Sequence, residues 1–519
     1  LVAGVLAFIV ALGVFQIQFL ASSELADLSI RAEMSSEESA QGSMELKQIL
    51  NFVNPHQYGK ITGNPETANE NETFSISLSS GDKTPYFYYW ETAFYFGLIT
   101  FLLGLIGIVT SFKSNFTKFL VAIMSFGFLY ALGSNFFIHE ILYNLPFFGQ
   151  FRNPARMMLY VVLGMSLLAG FGFDALMKLS YEEIKQKIFI VIGITGLFVV
   201  AGLLGLLSGN DTFHPSMSCL VYFLIGSLVV VLAMMKKLNY YLGGSLIVLI
   251  LFIDLYLAAG DFNTSKENPA ETFSVESNML SSFKSKIPEE IFRVNTRSYN
   301  PPYMAAKRNQ GLIDRFLTTE GYNPLVLQRV NPSLKTSDEI YDLLNVKYIL
   351  KFNPQTNQPY FEENFDRMPN AWLVNKAIIF SENEVGEKMK SGSFDFSKEV
   401  ILESAPKIKL NPNEEINSKV ICREYKANYI RYEIMNPESD VILVMSEIWY
   451  PAWKVFVDGL PAKLHRANYS LRAVEVPKGA SKIELRFASE SFALGQWITL
   501  VTLLISLPLL VINLNKRKK

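Results

Sequence analysis

The sequence predicts an α-helical polytopic membrane bundle of about eight transmembrane helices, joined to an external α/β and antiparallel β-sandwich domain. Three features point there. Long apolar runs recur along the chain, a polar block from about Asp261 to Ser491 separates the last two runs, and the chain ends in Asn515-Lys516-Arg517-Lys518-Lys519. Half of the residues are hydrophobic and only 18% are charged. Because the polar block has ordinary composition, the runs themselves are nearly free of charge.

A run of about 20 apolar residues matches the roughly 30 Å hydrocarbon core of a bilayer. The candidate spans are Leu1–Leu20, Phe94–Phe112, Phe119–Gly133, Met157–Leu176, Ile188–Leu207, Leu220–Met235, Tyr240–Ala259 and Trp497–Leu514. The third is short and can continue to Ile138. The expected organisation is a transmembrane region over 1–260 with external loops 21–92 and 135–156, an external α/β subdomain over 261–426, a β-sandwich over 427–491, and a last span with a basic tail over 492–519. The opening run lacks the basic leader and the small-residue cleavage site of a signal peptide. It begins at Leu1 without a polar lead-in, so part of the N-terminal region is expected to precede it.

Basic residues of short loops favour the cytoplasmic side. The Lys516–Lys519 cluster puts the C-terminus inside, which sends the polar block outside. Lys236-Lys237, the Lys178, Lys185 and Lys187 group, and Lys113 with Lys118 then all fall inside, and the loop Gly209–Ser216, which has no Lys or Arg, falls outside. A formal net charge of −1 gives no electrostatic basis for a nucleic-acid partner. Cys219 and Cys422, far apart, say nothing of redox compartment.

In the external block, Thr336-Ser337-Asp338-Glu339 reads as a capping box opening a helix through Leu344, followed by the strand Val346–Phe352. Ser381 with Glu384 opens another short helix before the strand Glu399–Leu402. Val441–Met445, Trp453–Val457, Leu471–Val476 and Ile483–Phe487 then read as strands, with turns at Asp458-Gly459 and Pro477-Lys478-Gly479.

Four groups of segments stand out in order along the chain: Phe151-Arg152-Asn153-Pro154-Ala155-Arg156 before a span ending in Gly170-Phe171-Gly172-Phe173-Asp174, Leu343-Leu344-Asn345-Val346-Lys347-Tyr348, Trp449-Tyr450-Pro451-Ala452-Trp453-Lys454 with Val457-Asp458-Gly459, and Asn468-Tyr469-Ser470-Leu471-Arg472 with Val476-Pro477-Lys478-Gly479. Together they resemble the bacterial YfhO family of multi-pass membrane proteins. The chain departs from the pattern at Asn370, where an Arg is more usual. The resemblance implies a GT-C-like fold and a glycosyltransferase of the bacterial cytoplasmic membrane. Such an enzyme uses a polyprenyl-phosphate-linked sugar on the outer face, with membrane lipid and an envelope polymer such as lipoteichoic acid as partners. It also implies a catalytic carboxylate in the first external loop, which is expected to lie ahead of Leu1. No cofactor is expected from the residues, although the analogy admits a divalent cation.

Transfer from a lipid phosphate needs cations at the leaving group and a carboxylate at the acceptor hydroxyl. Arg152 and Arg156 are the candidate donor-phosphate ligands, since a guanidinium binds phosphate in bidentate fashion; anchoring to lipid headgroups competes with that role. The catalytic candidates are Glu91, beside the aromatic Tyr88-Tyr89-Trp90, His139, next to Glu140, and Asp254. Asp254 is an intramembrane carboxylate that an arginine of the Phe151–Arg156 motif can pair with. Asp174 reads as a structural residue at the inner interface. Trp449, Tyr450, Trp453 and Tyr469 are the candidate acceptor or glycan-binding face, with a role in the sandwich core as the alternative. His56, His139, His214 and His465 share no ligand-like spacing, so no metal site is expected. The lack of Walker, Asp-x-Asp and nucleophile-elbow motifs argues against ATP or nucleotide-sugar chemistry. A lipid-linked saccharide transporter or flippase and a non-catalytic glycan-binding scaffold are the alternatives to the transferase.

Overall fold

The computed structural model describes residues 2–55, 94–145, 148–204, 218–259, 280, 283, 290–299 and 301–517. The eight apolar runs are all helical: α1 (Val2–Asp27), α2 (Leu98–Ser111), α3 (Asn115–Ala131), α4 (Met158–Lys178), α5 (Tyr181–Leu204), α6 (Ser218–Met234), α7 (Tyr240–Ala259) and α8 (Glu490–Arg517). Among the described residues five regions are long and apolar enough to cross a membrane: Gly4–Asp27, Pro154–Lys178, Tyr181–Leu204, Tyr240–Ala259 and Glu490–Ile512. The helices α2, α3 and α6 are apolar but shorter. The chain divides into two units, one of residues 33–267 and one of residues 1–32 with 268–519.

The unit of residues 33–267 holds α2 to α7, with α2 and α4 in its most intimate contact. That approach is made by glycine. An added Cβ on Gly107 would stand 2.0 Å from the carbonyl oxygen of Leu168, and one on Gly172 would stand 2.0 Å from that of Leu103. Small residues that let backbones touch are the usual basis of helix association in lipid, where no hydrophobic force acts between helices. Contacts at helix ends group as the charge count groups them. Lys236 Nζ donates to the carbonyls of Leu176 and Met177, both at 2.9 Å, at the end where Ser111 also meets Thr117 at 2.9 Å. The third apolar run does not continue to Ile138. α3 stops at Ala131, Gly133 takes φ +52, and a separate short helix covers Phe137–Tyr143.

The other unit pairs α1 with α8 and carries the sheet-rich domain. The two helices run antiparallel, again on glycine: a Cβ on Gly13 would meet Thr502 Oγ1 at 2.3 Å and one on Gly495 the carbonyl of Gln16 at 2.4 Å. The Thr499 hydroxyl binds the same seam, at 3.1 Å from both the Ile17 amide and the Val14 carbonyl.

The sheet-rich domain is layered. A five-stranded sheet runs in the order 419–426, 429–435, 482–487, 453–457, 460–462, and a six-stranded sheet in the order 371–374, 441–448, 471–476, 464–467, 399–402, 376–379. The run Val441–Met445 is buried on both faces. Val441, Leu443 and Met445 pack with Tyr432, Val455 and Leu485 of the five-stranded sheet, while Ile442 and Val444 pack with Leu343, Val346 and Ile349 of the α/β layer. This moves the expected boundary at residue 427. The sandwich already draws in the strands 371–374, 376–379, 399–402 and 419–426, so the α/β layer is confined to the segment before residue 371. Pairing is antiparallel apart from 376–379 with 399–402 in the sandwich, which is parallel. The expected helix begins at Ser337 with Thr336 capping the Glu339 amide at 3.2 Å. The Asp458-Gly459 turn has both φ values positive, 47° and 83°, as a tight hairpin requires.

One buried pair in the six-stranded sheet makes stability depend on pH. His465 Nε2 lies 2.9 Å from Glu475 Oε1, and Glu475 Oε2 accepts from the amides of Lys407 (2.7 Å) and Ile408 (3.0 Å). Burial holds the His465 ring below its ordinary 6.5 despite the pull of Glu475. Burial raises Glu475, but the Ile408 amide, His465 and the Lys407 amide outweigh it, so the carboxyl ends below its ordinary 4.5. Both folded-state values are depressed, so their stabilisation is complete above the unfolded values and is lost as pH falls. The melting temperature of the full-length protein should therefore hold steady above pH 6.5 and decline below it. His465→Gln should flatten that decline between about pH 6.5 and 5. A profile identical in wild type and variant would contradict the assignment.

Candidate functional site

The Phe151–Arg156 motif forms a rigid clasp. Asn153 adopts φ 61, a left-handed conformation that asparagine tolerates, and starts a 3-10 turn with Pro154 at its first position. The Asn153 amide donates to Gln41 O at 2.9 Å, and Gly42 takes φ +74 directly beneath, where a Cβ would meet Asn153 Oδ1 at 2.5 Å. Ser39 donates to Phe151 O at 2.9 Å and lies 3.2 Å from His139 Nε2. With its one hydrogen given to Phe151, Ser39 accepts from the Nε2–H of His139. On the other side the Met44 amide donates to Ala131 O at 2.8 Å and Asn135 Nδ2 to Met44 O at 3.1 Å. Three segments, 39–44, 131–139 and 151–156, are thus stitched together at the entry to α4.

Pro154 and Ala155 are buried in this clasp, and Arg152 and Arg156 are exposed on its surface. Arg152 Nη1 reaches Gln41 Oε1 at 3.3 Å. Glu38 stands close by, its carboxyl held below the ordinary range by the backbone and hydroxyl of Ser35, with a contribution from Arg152. The arrangement offers two guanidiniums on a preorganised loop, a carboxylate nearby, and a buried imidazole that braces the loop.

The remaining sequence candidates fall in different places. His139 is buried at 2% exposure, and burial lowers its pKa from 6.5, so the ring is a neutral brace beneath the arginines. Glu140 beside it is exposed. Asp254 does not pair with Arg152 or Arg156. Its carboxylate accepts from the Tyr95 hydroxyl at 2.8 Å and from the Leu98 amide at 3.0 Å, which caps the first turn of α2. A carboxyl oxygen at a helix N-terminus accepts from an amide that lacks an intrahelical partner and that the Tyr95 hydroxyl also meets at 3.1 Å, and this accounts for its 2% exposure. Asp174 makes a surface pair with Lys178 at 2.7 Å. Glu91, His56 and His214 lie outside the described residues. Among the described residues no group of three His, Cys, Asp or Glu is placed to hold a metal ion.

The four aromatic candidates of the sandwich do not form one open stacking face. Trp453 is in the inter-sheet core with Arg472 over its ring at 4.3 Å, and Tyr450 stacks on Phe487 while its hydroxyl donates to Glu24 at 2.7 Å. Trp449 lies under the Arg466 guanidinium at 4.1 Å and Tyr469 under that of Arg329 at 4.3 Å.

Trp449 lines a polar cleft that sequence reading did not reveal, and Tyr469 lies under one of the arginines of its wall. Arg329 pairs with Glu382 at 3.3 Å and with Glu403, and Arg466 pairs with Glu382 at 3.1 Å and with Glu403 at 3.9 Å. Burial and the neighbouring Arg329 lower the pKa of Arg466, while the two glutamates counter them. These four charged residues come from separated segments, so no local spacing announces them. The one local signal is Asn468-Tyr469, two consecutive residues at φ 45 and 72 in a stretch without glycine.

No family model matches the chain, and no curated protein or solved structure matches it.

Proposed function

We propose that this chain is a multi-pass membrane glycosyltransferase of the GT-C type, or a section of one. It transfers a sugar from a polyprenyl-phosphate donor to a cell-envelope acceptor. The observation that carries the proposal is the pair Arg152 and Arg156, exposed on a clasp whose backbone is fixed by Ser39, Gln41, Gly42 and His139. A lipid phosphate leaving group gains most from donors already in place, because no reorganisation is then needed as charge develops. The resemblance of the Phe151–Arg156, Leu343–Tyr348, Trp449–Lys454 and Asn468–Arg472 segments to the YfhO family supports the same activity.

In this reading all eight apolar helices span, with α2, α3 and α6 as the short members. The external domain and the clasp face outward, in the bacterial cytoplasmic membrane, and the basic C-terminus faces the cytoplasm. Arg152 and Arg156 hold the donor phosphate, and the external domain holds the acceptor. Asp254 keeps α2 and α7 in place and takes no part in proton transfer.

Reconstituted into proteoliposomes with a labelled polyprenyl-phosphate sugar and an envelope acceptor, the full-length protein should transfer the label. Each of Arg152→Ala and Arg156→Ala should lower transfer on the order of 10- to 100-fold, the loss of one charge-assisted contact to phosphate. Movement of donor across the membrane without transfer would point to a flippase instead, and glycan binding without either activity to a scaffold.

A further inference from the structure

We infer that the cleft at the end of α1 is a binding site for one neutral pyranose unit of a glycan. This rests on the glycan-handling reading above, and the cleft's chemistry specifies what it takes. The cavity measures about 190 Å3 and is lined by Asp27, Arg329, Glu382, Trp449, Arg466 and Ser470, among others. A cavity of ~150 Å3 accommodates a benzene ring, so this one has room for a single six-membered ring with hydroxyls.

Hydrogen-bonding capacity in the cleft is left unused. Arg329 Nε, Trp449 Nε1 and Ser470 Oγ are all buried without a partner, and Ser470 is only 1% exposed. Buried polar atoms normally find partners, and a cluster of exceptions along one cavity wall calls for a ligand that supplies them. Two of the three are obligate donors, so they need acceptor oxygens.

Charge selects among oxygen-bearing ligands. Two arginines alone would suit phosphate or carboxylate. Here Arg329 and Arg466 are already neutralised by Glu382 and Glu403, and Asp27 adds a further carboxylate to the wall. Such a site offers donors and acceptors side by side with no surplus positive charge, which is what a polyol ring engages. Anions gain little from it.

The cleft is also built at some cost. Tyr469 at φ 72, following Asn468 at φ 45, occupies a region that bulky residues rarely adopt, although asparagine tolerates it. Hydrogen bonds hold them there: Asn468 N donates to Ile401 O at 2.9 Å, Ile401 N donates to the Asn468 side-chain Oδ1 at 3.0 Å, and Trp449 N donates to Ser470 O at 2.7 Å. Strain of this kind persists where the surroundings over-determine it, and it clusters at ligand sites.

Location adds the last constraint. Asp27 ends α1, and the chain beyond it is tied to the cleft wall, with Gln328 N to Leu28 O at 3.0 Å and Ile30 N to Val326 O at 2.9 Å. The site therefore lies where an apolar helix enters the external domain, within reach of a sugar carried close to a membrane surface. That ring can belong to the lipid-linked donor or to the acceptor.

The test uses the full-length protein in lipid nanodiscs free of sugar detergents. Methyl glycosides of glucose, galactose, mannose and N-acetylglucosamine are titrated and binding is read by saturation-transfer NMR. At least one should bind saturably, and Trp449→Phe and Ser470→Ala should each weaken it on the order of tenfold. Melting temperatures identify which variants are folded, and either folded variant suffices. Competition by polyprenyl-phosphate sugar assigns the ring to the donor, and competition only by envelope glycan assigns it to the acceptor. The inference is overturned if no glycoside binds at ~100 mM, if affinity is unchanged in the folded variants, or if inorganic phosphate displaces the sugar. Binding is read without transfer, so a protein that binds glycoside but transfers nothing would sink the transferase and leave the cleft standing.

Discussion

Glu447→Ala is expected to destabilise the sheet-rich domain by about 3–5 kcal/mol, the usual cost of leaving buried cations without their counter-charge. Glu447 pairs with Arg293 at 3.2 Å and accepts from Tyr425 at 2.8 Å and Asn370 at 3.2 Å. Asn370 in turn accepts from the Tyr432 hydroxyl at 2.8 Å, so it is a working member of a buried network. Arg293 also donates to Ser446 O at 2.6 Å and Leu344 O at 3.0 Å, which ties the α/β layer to the sandwich. Arg472, 5% exposed, feels Glu447 as well: burial lowers its pKa from 12.5 to about 10, and Glu447 is the largest influence raising it. Removing Glu447 strands both arginines in a low-dielectric interior. The measurement is thermal or chemical unfolding of the full-length protein followed by tryptophan fluorescence, to which this domain contributes Trp372, Trp449 and Trp453 of the five tryptophans. A loss below about 1 kcal/mol would place the pair among surface ion pairs and contradict the account.

Gly172→Val should prevent stable assembly of the unit that holds α2 to α7. The added Cβ would fall 2.0 Å from a backbone oxygen of α2, which no side-chain rotation relieves, and Gly107→Val meets α4 in the same way. Overpacking commonly costs about 1–3 kcal/mol, and backbone overlap on both sides of a helix pair belongs at or above the top of that range. The control lies two residues away. Gly170, in the same Gly170-Phe171-Gly172 stretch, has nothing within 4 Å of an added Cβ. Gly170→Ala should therefore be neutral or stabilising by up to about 1 kcal/mol, from helix propensity. Size-exclusion profiles of the detergent-extracted proteins separate the outcomes. A monodisperse Gly172→Val with the wild-type melting temperature would show that α2 and α4 do not pack on these glycines.

The helices were legible because each rests on one local property, a sustained apolar run, and α7 coincides with its expected bounds, Tyr240–Ala259. α2 starts four residues later than expected, because Gly97 at φ +92 breaks the run and the Tyr95–Asp254 contact fixes the first turn. A side chain arriving from 159 positions away leaves no local trace. The full extent of the sandwich was hidden for a similar reason. Ala371–Val374 and Lys376–Ile379 are four residues each, too short to show alternation, and they become strands by pairing with 441–448 and 399–402.

The candidate site divides along the same line. Arg152 and Arg156 were candidates because arginines flanking a proline ahead of an apolar run are a local pattern, and the structure adds the clasp on which they stand. The bracing role of His139 needed Ser39, 100 positions away. The cleft of Arg329, Glu382, Glu403 and Arg466 exists only through tertiary contacts, and its aromatic residues were visible while the guanidiniums covering them were not.

The central claim is that Arg152 and Arg156 hold a lipid phosphate for sugar transfer, and donor titration in proteoliposomes tests it most directly. Wild-type protein should transfer the labelled sugar with saturable dependence on polyprenyl-phosphate donor. The double variant Arg152→Ala/Arg156→Ala should remain folded, since both side chains are exposed, and should lose at least ~100-fold in transfer at low donor concentration. Undiminished transfer by that folded double variant would contradict the account.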